Sequence, residues 1–312
     1  MVPGFIFSLI VSVLFAAYAI PRKYSKQNVI LYTMWMGIAY FIGTVMCISI
    51  IWGFGFAEPE NLFNPWHLLT VLRGLIWVGG MAAYNLAIDK IGITRFNQWK
   101  NVQGPVGSLL ILFIVADILV PIKTLYLFLG MTVMFISALL FQIDHPALRA
   151  PLQRRGIAFA LFAGVCFGVT ALLNSVVSTP AIVGDKFTFA QLLYHSTSLI
   201  VFSVIIYMII GDKANESQAV KQRFKDIFRV NKMILLPFTA GAMFMIATLL
   251  TIYSYRMMDN AVAWSITQLN VFWTFIIGVF ILKEVNFKQH RLRLSAGVIT
   301  AIIACVLLFF AL

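Results

Sequence analysis

Two clusters of amide and indole side chains interrupt long apolar stretches of this sequence. The first cluster lies between residues 96 and 105 and the second between residues 264 and 274. Their candidate binding residues are Gln98, Trp99, Lys100 and Asn101 in the first and Gln268, Asn270 and Trp273 in the second. Amides supply paired hydrogen-bond donors and acceptors, and an indole supplies a flat apolar platform. This chemistry predicts binding of a hydroxyl-rich solute.

Helical spacing brings the polar residues of each cluster onto one face. Gln98, Asn101 and Pro105 share a face of one helix, and Asn270 shares a face with Thr267 and Thr274 of another. Pro105 cannot donate to the carbonyl of Asn101, so we expect a broken helix with that carbonyl free. The alternative is that the amides bond neighbouring helices.

Four further residues, Tyr84, Asn85, Arg73 and His195, are candidates for the same site. Tyr84 and Asn85 could line a shared cavity, and Arg73 and Lys100 could contact the solute or extend to the membrane interface. His195, in the seventh predicted span, titrates near neutral pH, which makes it the candidate for proton coupling. A lone helical histidine is also a common hydrogen-bond partner in packed helices.

The elements that carry these residues are predicted from composition. The chain has 312 residues, of which 61% are hydrophobic and 11% are charged, and this excludes a water-soluble globule. Apolar runs of about 20 residues predict an all-α integral membrane protein with ten transmembrane helices. The predicted spans are 2–20, 29–53, 66–88, 93–115, 123–143, 157–178, 187–210, 233–255, 260–282 and 293–311.

The net charge of +12 indicates topology. Of the 23 Lys and Arg residues, 18 fall in one set of alternate connections and three in the other. The positive-inside rule places the richer set, including the long loop 211–232, in the cytoplasm. We therefore expect a multi-pass protein of the cell membrane, with both termini outside the cytoplasm, in contact with the lipid bilayer and not with nucleic acid.

The two halves of the sequence resemble each other. At an offset of 152 residues Phe15 aligns with Phe167, and at an offset of 169 Asn101 aligns with Asn270. Residues 1–150 and 151–312 are thus predicted to be two five-helix repeats, and five spans per half make the second repeat inverted. Inverted repeats are typical of secondary transporters with a binding site near the bilayer midplane.

Several function classes lack the residues they need. No Asp or Glu lies deep in a predicted span, so a cationic solute has no counter-charge. Cys47, Cys166 and Cys305 lie far apart in apolar spans, without metal-ligand spacing. No nucleophile–base pair is visible, so we predict no enzyme, cofactor or metal.

Five segments resemble one family of transporters. They are LFAAYAIPRK at 14–23, GLIWVGG at 74–80, NLAIDKIG at 85–92, QGPVG at 103–107 and FILKE at 280–284. The chain resembles the drug/metabolite transporter superfamily, and within it the glucose/ribose porter and rhamnose–proton symporter group. The resemblance implies alternating access, a central cavity lined by both halves and a sugar or similar polyol as substrate.

Together these patterns predict a secondary transporter for a small neutral polar solute, a monosaccharide, with or without coupled protons. The alternative is a carrier or exporter of anionic metabolites or amino acids of the same superfamily. An anion carrier needs two or more convergent cations, for which Lys100 and Arg73 are the candidates.

Overall fold

The protein is helical throughout the part of the chain that the structure describes. The computed structural model describes residues 2–55, 60, 62–114, 121–140, 151–179, 188–210, 220–228, 234–283 and 287–311. Its helices are α1 (Val2–Ala17), α2 (Ile20–Tyr24), α3 (Val29–Gly53), α4 (His67–Ile91), α5 (Ile93–Lys100), α6 (Gln103–Ile114), α7 (Pro121–Leu140), α8 (Pro151–Ser178), α9 (Thr188–Ile210), α10 (Val220–Ile227), α11 (Leu235–Met257), α12 (Asn260–Thr267), α13 (Asn270–Ile276) and α14 (Phe287–Phe310). A π-helical turn, Ile277–Ile281, continues α13.

Eight helical segments of the described chain are long and apolar enough to cross a membrane. The predicted fourth and fifth spans instead contain shorter apolar helices, Gln103–Ile114 and Pro121–Ser137. The fourth span is short because its polar first third forms the separate helix α5, which ends at Lys100. The all-α membrane architecture is thus confirmed, and the count of ten transmembrane helices stays a prediction.

Long antiparallel contacts hold the bundle together. Helix α4 packs along α8, α1 along α11, α3 along α9, and α7 along α14. The rings of Phe5 and Phe309 touch with centroids 5.3 Å apart, so both ends of the chain lie at the same end of the bundle. Large apolar side chains such as Ile50 and Ile209 remain exposed on the outside, as expected of a surface that faces lipid.

Two helices are interrupted at similar positions. Between α5 and α6 the chain turns at Asn101 and Val102, and between α12 and α13 it turns at Gln268 and Leu269. The Asn101 carbonyl accepts the Gly104 N–H at 3.0 Å. The break at the first cluster was thus predicted, but the free Asn101 carbonyl was wrong, because a tighter turn of i to i+3 geometry satisfies it.

Candidate functional site

A central cavity lies between the two halves of the sequence. Its volume is about 530 Å³, including the open space at its mouth. The lining residues are Phe15, Tyr18, Arg73, Trp77, Lys100, Gln103, Phe167, Thr170, Ala171, Asn174, Phe244, Thr248, Thr251 and Trp264. Residues from both sequence halves therefore form one cavity.

Two cationic side chains line this cavity. Arg73 of α4 and Lys100 at the end of α5 are only 5% and 2% exposed. The Lys100 ammonium lies 5.8 Å from the ring centroid of Phe96 and 6.0 Å from that of Phe167. Arg73 Nη1 is buried and has no hydrogen-bond partner among the described residues. Both cations can therefore donate to a bound solute.

A close approach of backbones positions Lys100. A Cβ atom on Gly164 of α8 would lie 2.6 Å from the Lys100 carbonyl oxygen, which is too close for any side chain. Glycine at this position therefore lets the end of α5 rest directly on α8. The same helix carries Phe167, Thr170 and Asn174 into the cavity.

Three threonine hydroxyls supply acceptors. Thr170 donates to the Phe167 carbonyl at 2.9 Å, Thr248 to the Phe244 carbonyl at 2.9 Å, and Thr251 to the Ala247 carbonyl at 2.7 Å. Because each hydroxyl hydrogen is used within its own helix, the oxygen lone pairs remain available. These oxygens suit the donating hydroxyl groups of a sugar.

Aromatic rings form the apolar part of the wall. The Trp77 and Phe244 rings pack with centroids 4.6 Å apart, and Tyr18 stacks on Tyr84 at 5.7 Å. Trp264 contributes a further indole from α12. Flat apolar walls beside a few convergent polar groups are typical of sites for small polar ligands.

The two amide clusters meet beside the cavity and bond to each other. Gln103 Nε2 donates to Gln268 Oε1 at 2.7 Å, and the hydroxyls of Ser108 and Ser265 lie 2.7 Å apart. Trp264 Nε1 donates to the Gln103 carbonyl at 3.3 Å. The interrupted helices are thus joined by side-chain hydrogen bonds, the alternative that the sequence left open.

Most predicted residues of the two clusters lie away from the central cavity. Asn101 and Gln268 line a separate small pocket. Asn270 is buried and donates to the Thr267 carbonyl at 3.0 Å. Trp273 Nε1 donates to Ser12 Oγ at 2.9 Å. Of the candidate cluster residues whose side chains the structure describes, Lys100 is the one that lines the central cavity.

The remaining candidates pack around the cavity. Trp99 lies against the main apolar core, and the side chain of Gln98 lies outside the described residues. Tyr84 is buried beneath Tyr18, and Asn85 Nδ2 donates to Thr33 Oγ1 at 3.4 Å.

His195 is fully buried near the cavity wall but is not among the lining residues. Its Nδ1 lies 3.4 Å from the Tyr40 hydroxyl, and its ring packs edge-on to Trp77. Its Nε2 has no hydrogen-bond partner among the described residues.

Sequence reasoning missed the polar residues of α11 and one amide of α6. Phe244, Thr248 and Thr251 follow each other at i, i+4 and i+7, which places them on one helical face. That stripe is a signal that could have been found in the sequence. Gln103 was overlooked because it lies beyond the interruption at Asn101 and Val102.

The described residues were compared with the side-chain groups that metal sites require. Within them, no group of three or more His, Cys, Asp or Glu side chains is placed to hold a metal ion.

Comparison with known proteins gives a match over part of the chain. Residues 188–311 match the family model described as sugar transport protein. The C-terminal part of the chain resembles a sugar transporter. Together with the apolar helices, this match supports a multi-pass membrane protein of a sugar-transporter-like family, and a transporter in preference to an enzyme.

The fold itself has a solved counterpart. A structure titled only "Crystal structure of protein" matches with a TM-score of 0.64 over 97% of each chain at 13% sequence identity. At that identity the likeness concerns the fold alone. A comparison with curated protein sequences finds no match.

Proposed function

We propose that the protein is a secondary transporter that moves a sugar, or a closely related hydroxylated solute, across the cell membrane by alternating access. The observation that carries this proposal is the central cavity, where threonine oxygens of the second sequence half and indole rings of both halves surround one space. In the proposal both termini lie outside the cytoplasm, as the distribution of basic residues predicts.

Alternating access requires two halves that can rock around the site, and the helix contacts support such halves. If residues 1–150 and 151–312 are inverted repeats, the pair α1 with α11 is equivalent to the pair α8 with α4. Both pairs pack closely, and the self-equivalent pairs α3 with α9 and α7 with α14 pack closely as well. This is the contact pattern expected of a pseudo-two-fold axis.

Individual residues support the same relation. Phe15 and Phe167, which the repeat aligns, both line the cavity. The interruptions at Asn101 and at Gln268 occur in aligned helices, and irregular backbone at membrane depth is tolerated beside a cavity.

The amides of Asn101 and Asn270 have a place in this proposal. Asn101 Oδ1 and Asn270 Oδ1 are buried and have no hydrogen-bond partner among the described residues. Each can accept a hydrogen bond once the interrupted helices shift against each other. We propose that they serve the transport cycle at the helix interface.

Uptake of radiolabelled monosaccharides into proteoliposomes tests the proposed function. Wild-type protein should show saturable uptake above that of protein-free liposomes. Ala171→Trp, which fills the cavity, should abolish uptake. Phe162→Trp on the exposed face of the same helix is the matched control and should retain it. Equal uptake by both variants, each confirmed as folded by size-exclusion chromatography, would contradict the proposed route.

Proton coupling through His195 is tested in the same liposomes. Uptake is measured with and without an inward pH gradient for wild type and for His195→Gln. If His195 carries the proton, the gradient stimulates wild type and leaves the variant unaffected. Stimulation of both to the same extent would remove His195 from the mechanism.

A further inference from the structure

Among the residues that the structure describes, none supplies a counter-charge to the two cations of the central cavity. Among the described residues, Arg73 Nη1 is buried without a hydrogen-bond partner, and the ion pair that these residues form involves neither Arg73 nor Lys100, although both line the same space. Lys100 is the last residue of α5, where the helix dipole offers a cation partial compensation. Arg73 lies within α4 and has no such help.

The acidic residues of the described chain are all engaged elsewhere. Asp89 pairs with Arg22, and Asp259 caps the start of α12. Glu60 accepts backbone N–H groups at the start of α9, and Asp226 accepts from Gln222. None of these four carboxylates is among the residues that line the cavity.

Burying a cation without an anion is costly, and an arginine keeps its charge in proteins. A cavity that holds one obligate cation and a second amine is therefore completed best by an anion brought from outside. The absence of deep carboxylates excludes a cationic solute, but it does not distinguish a neutral solute from an anionic one. The two cations favour the anionic solute over the neutral one.

We propose that the solute is an acidic sugar, whose carboxylate or phosphate group is bound by Arg73 and Lys100. The guanidinium of Arg73 forms a bidentate contact with the anionic group, and the ammonium of Lys100 donates a further hydrogen bond. This inference rests on the proposed function, since it names the substrate class of the same cavity.

The rest of the cavity matches the neutral part of such a solute. The Thr170, Thr248 and Thr251 oxygens accept from ring hydroxyls, because their own hydrogens are engaged. Trp77 and Trp264 offer flat faces to the apolar side of a sugar ring. An anion without hydroxyl groups leaves these acceptors unused.

Binding to the purified full-length protein tests the proposal, with fluorescence of the cavity tryptophans as readout. The probes are matched sets of one neutral sugar and its acidic derivatives. The first set is glucose, glucuronate and glucose 6-phosphate. The others are galactose with galacturonate, and ribose with ribose 5-phosphate. Acetate and inorganic phosphate are the anions without a sugar. An acidic sugar should bind about tenfold or more tightly than the neutral sugar of its own set.

Four variants test whether Arg73 and Lys100 cause the preference for acidic over neutral sugars. Arg73→Gln and Lys100→Gln should each lose it, so the test survives if one of them fails to fold. Arg73→Lys should retain part of it, because the charge remains without the bidentate geometry. Lys123→Gln, at an exposed position of α7, is the matched control and should behave as wild type.

The outcomes separate the two proposals. Tighter binding of a sugar carboxylate or of a sugar phosphate supports the inference and identifies which anionic group is used. Neutral sugars that bind as tightly as their acidic counterparts overturn the inference and leave the proposed function standing. Acetate or phosphate binding as tightly as the acidic sugars overturns the sugar part. Binding of none of these solutes overturns both proposals.

Discussion

Two arginines are buried to the same degree in this protein and have opposite surroundings. Arg22 in α2 is 4% exposed and Arg73 in α4 is 5% exposed. Arg22 donates to the Asp89 carboxylate and, at 2.9 Å, to the Gln27 carbonyl, and its guanidinium lies 5.4 Å from the ring centroid of Tyr32. Arg73 has no such partner among the described residues and lines the central cavity.

The difference separates a residue that stabilises the fold from one that binds a ligand. The protein itself satisfies Arg22, which ties the end of the first span to the end of α4. Without a bound solute Arg73 lowers the stability of the folded protein, since its charge is desolvated without compensation. A position that lowers stability persists where it serves function, so substitutions of the two arginines should have opposite consequences.

The largest expected effect is on ligand affinity in the double variant Arg73→Gln/Lys100→Gln. Two charge-assisted contacts are lost, so binding of an acidic sugar should weaken about a hundredfold, or about 2.7 kcal/mol. Thermal stability without ligand should be equal to that of wild type or higher. Titration and thermal unfolding of the same preparation measure both quantities, and a large loss of stability would indicate that the two cations are structural.

Replacing Arg22 should have the reverse effect. Arg22→Gln removes the donor to Asp89, which is 46% exposed, so the discounted loss is about 1–2 kcal/mol of unfolding free energy. Affinity for the solute should not change in the protein that remains folded. Lys26 is an exposed residue of the loop that follows α2, and Lys26→Gln is the control for removal of a positive charge. An unchanged melting temperature for Arg22→Gln would contradict its structural role.

Gly164→Ala should disturb the cavity through Lys100. The added methyl meets the Lys100 carbonyl oxygen and Val102 at 2.6 and 2.5 Å, so the end of α5 must move away from α8. Solute affinity should fall about tenfold, since one charge-assisted contact is displaced. Gly79→Ala in α4 is the matched control, because a Cβ there meets no atom within 4 Å. Equal affinities of the two variants would show that the position of Lys100 does not matter.

The smallest effect concerns the hydrogen bond that joins the interrupted helices. A double-mutant cycle of Gln103→Leu and Gln268→Leu should show a coupling energy of about 1 kcal/mol in unfolding experiments. The 2.7 Å contact between the two amides is the physical reason. Strictly additive stabilities would mean that the contact contributes nothing.

The sequence predicts most of the helices because apolar runs of span length have no alternative in a membrane. The first prediction of a span at 2–20 corresponds to α1 and the start of α2. The fourth span departs most from the prediction. Its polar first third and the turn at Asn101 and Val102 divide it into two short helices, and hydropathy alone does not register a turn.

The positions of the candidate site residues follow less directly from the sequence, and the same turn explains why. Helical periodicity assigns Gln98 and Pro105 to one face only while the helix between them is continuous. After the interruption the angular phase changes, so that Gln103 reaches the cavity while Asn101 lines a separate pocket. A periodic pattern also does not tell which neighbour a polar face meets, and here the amides meet each other.

Lys100 and Arg73 show what sequence reasoning can achieve. Both were identified as charges within apolar spans that need an explanation. Their convergence on one cavity depends on how α4 and α5 pack against α8, which involves contacts between residues distant in sequence. Only the structure brings the two cations together.

The most direct test of the central claim is the shift in melting temperature caused by a saturating acidic sugar. We expect the sugar that binds wild type most tightly to raise the melting temperature of wild type and of Arg22→Gln by similar amounts, because ligand binding to the folded state adds stability in both. Arg73→Gln should show a clearly smaller shift at the same concentration, because it binds the acidic sugar more weakly. An equal shift in Arg73→Gln would contradict the claim that Arg73 receives the solute.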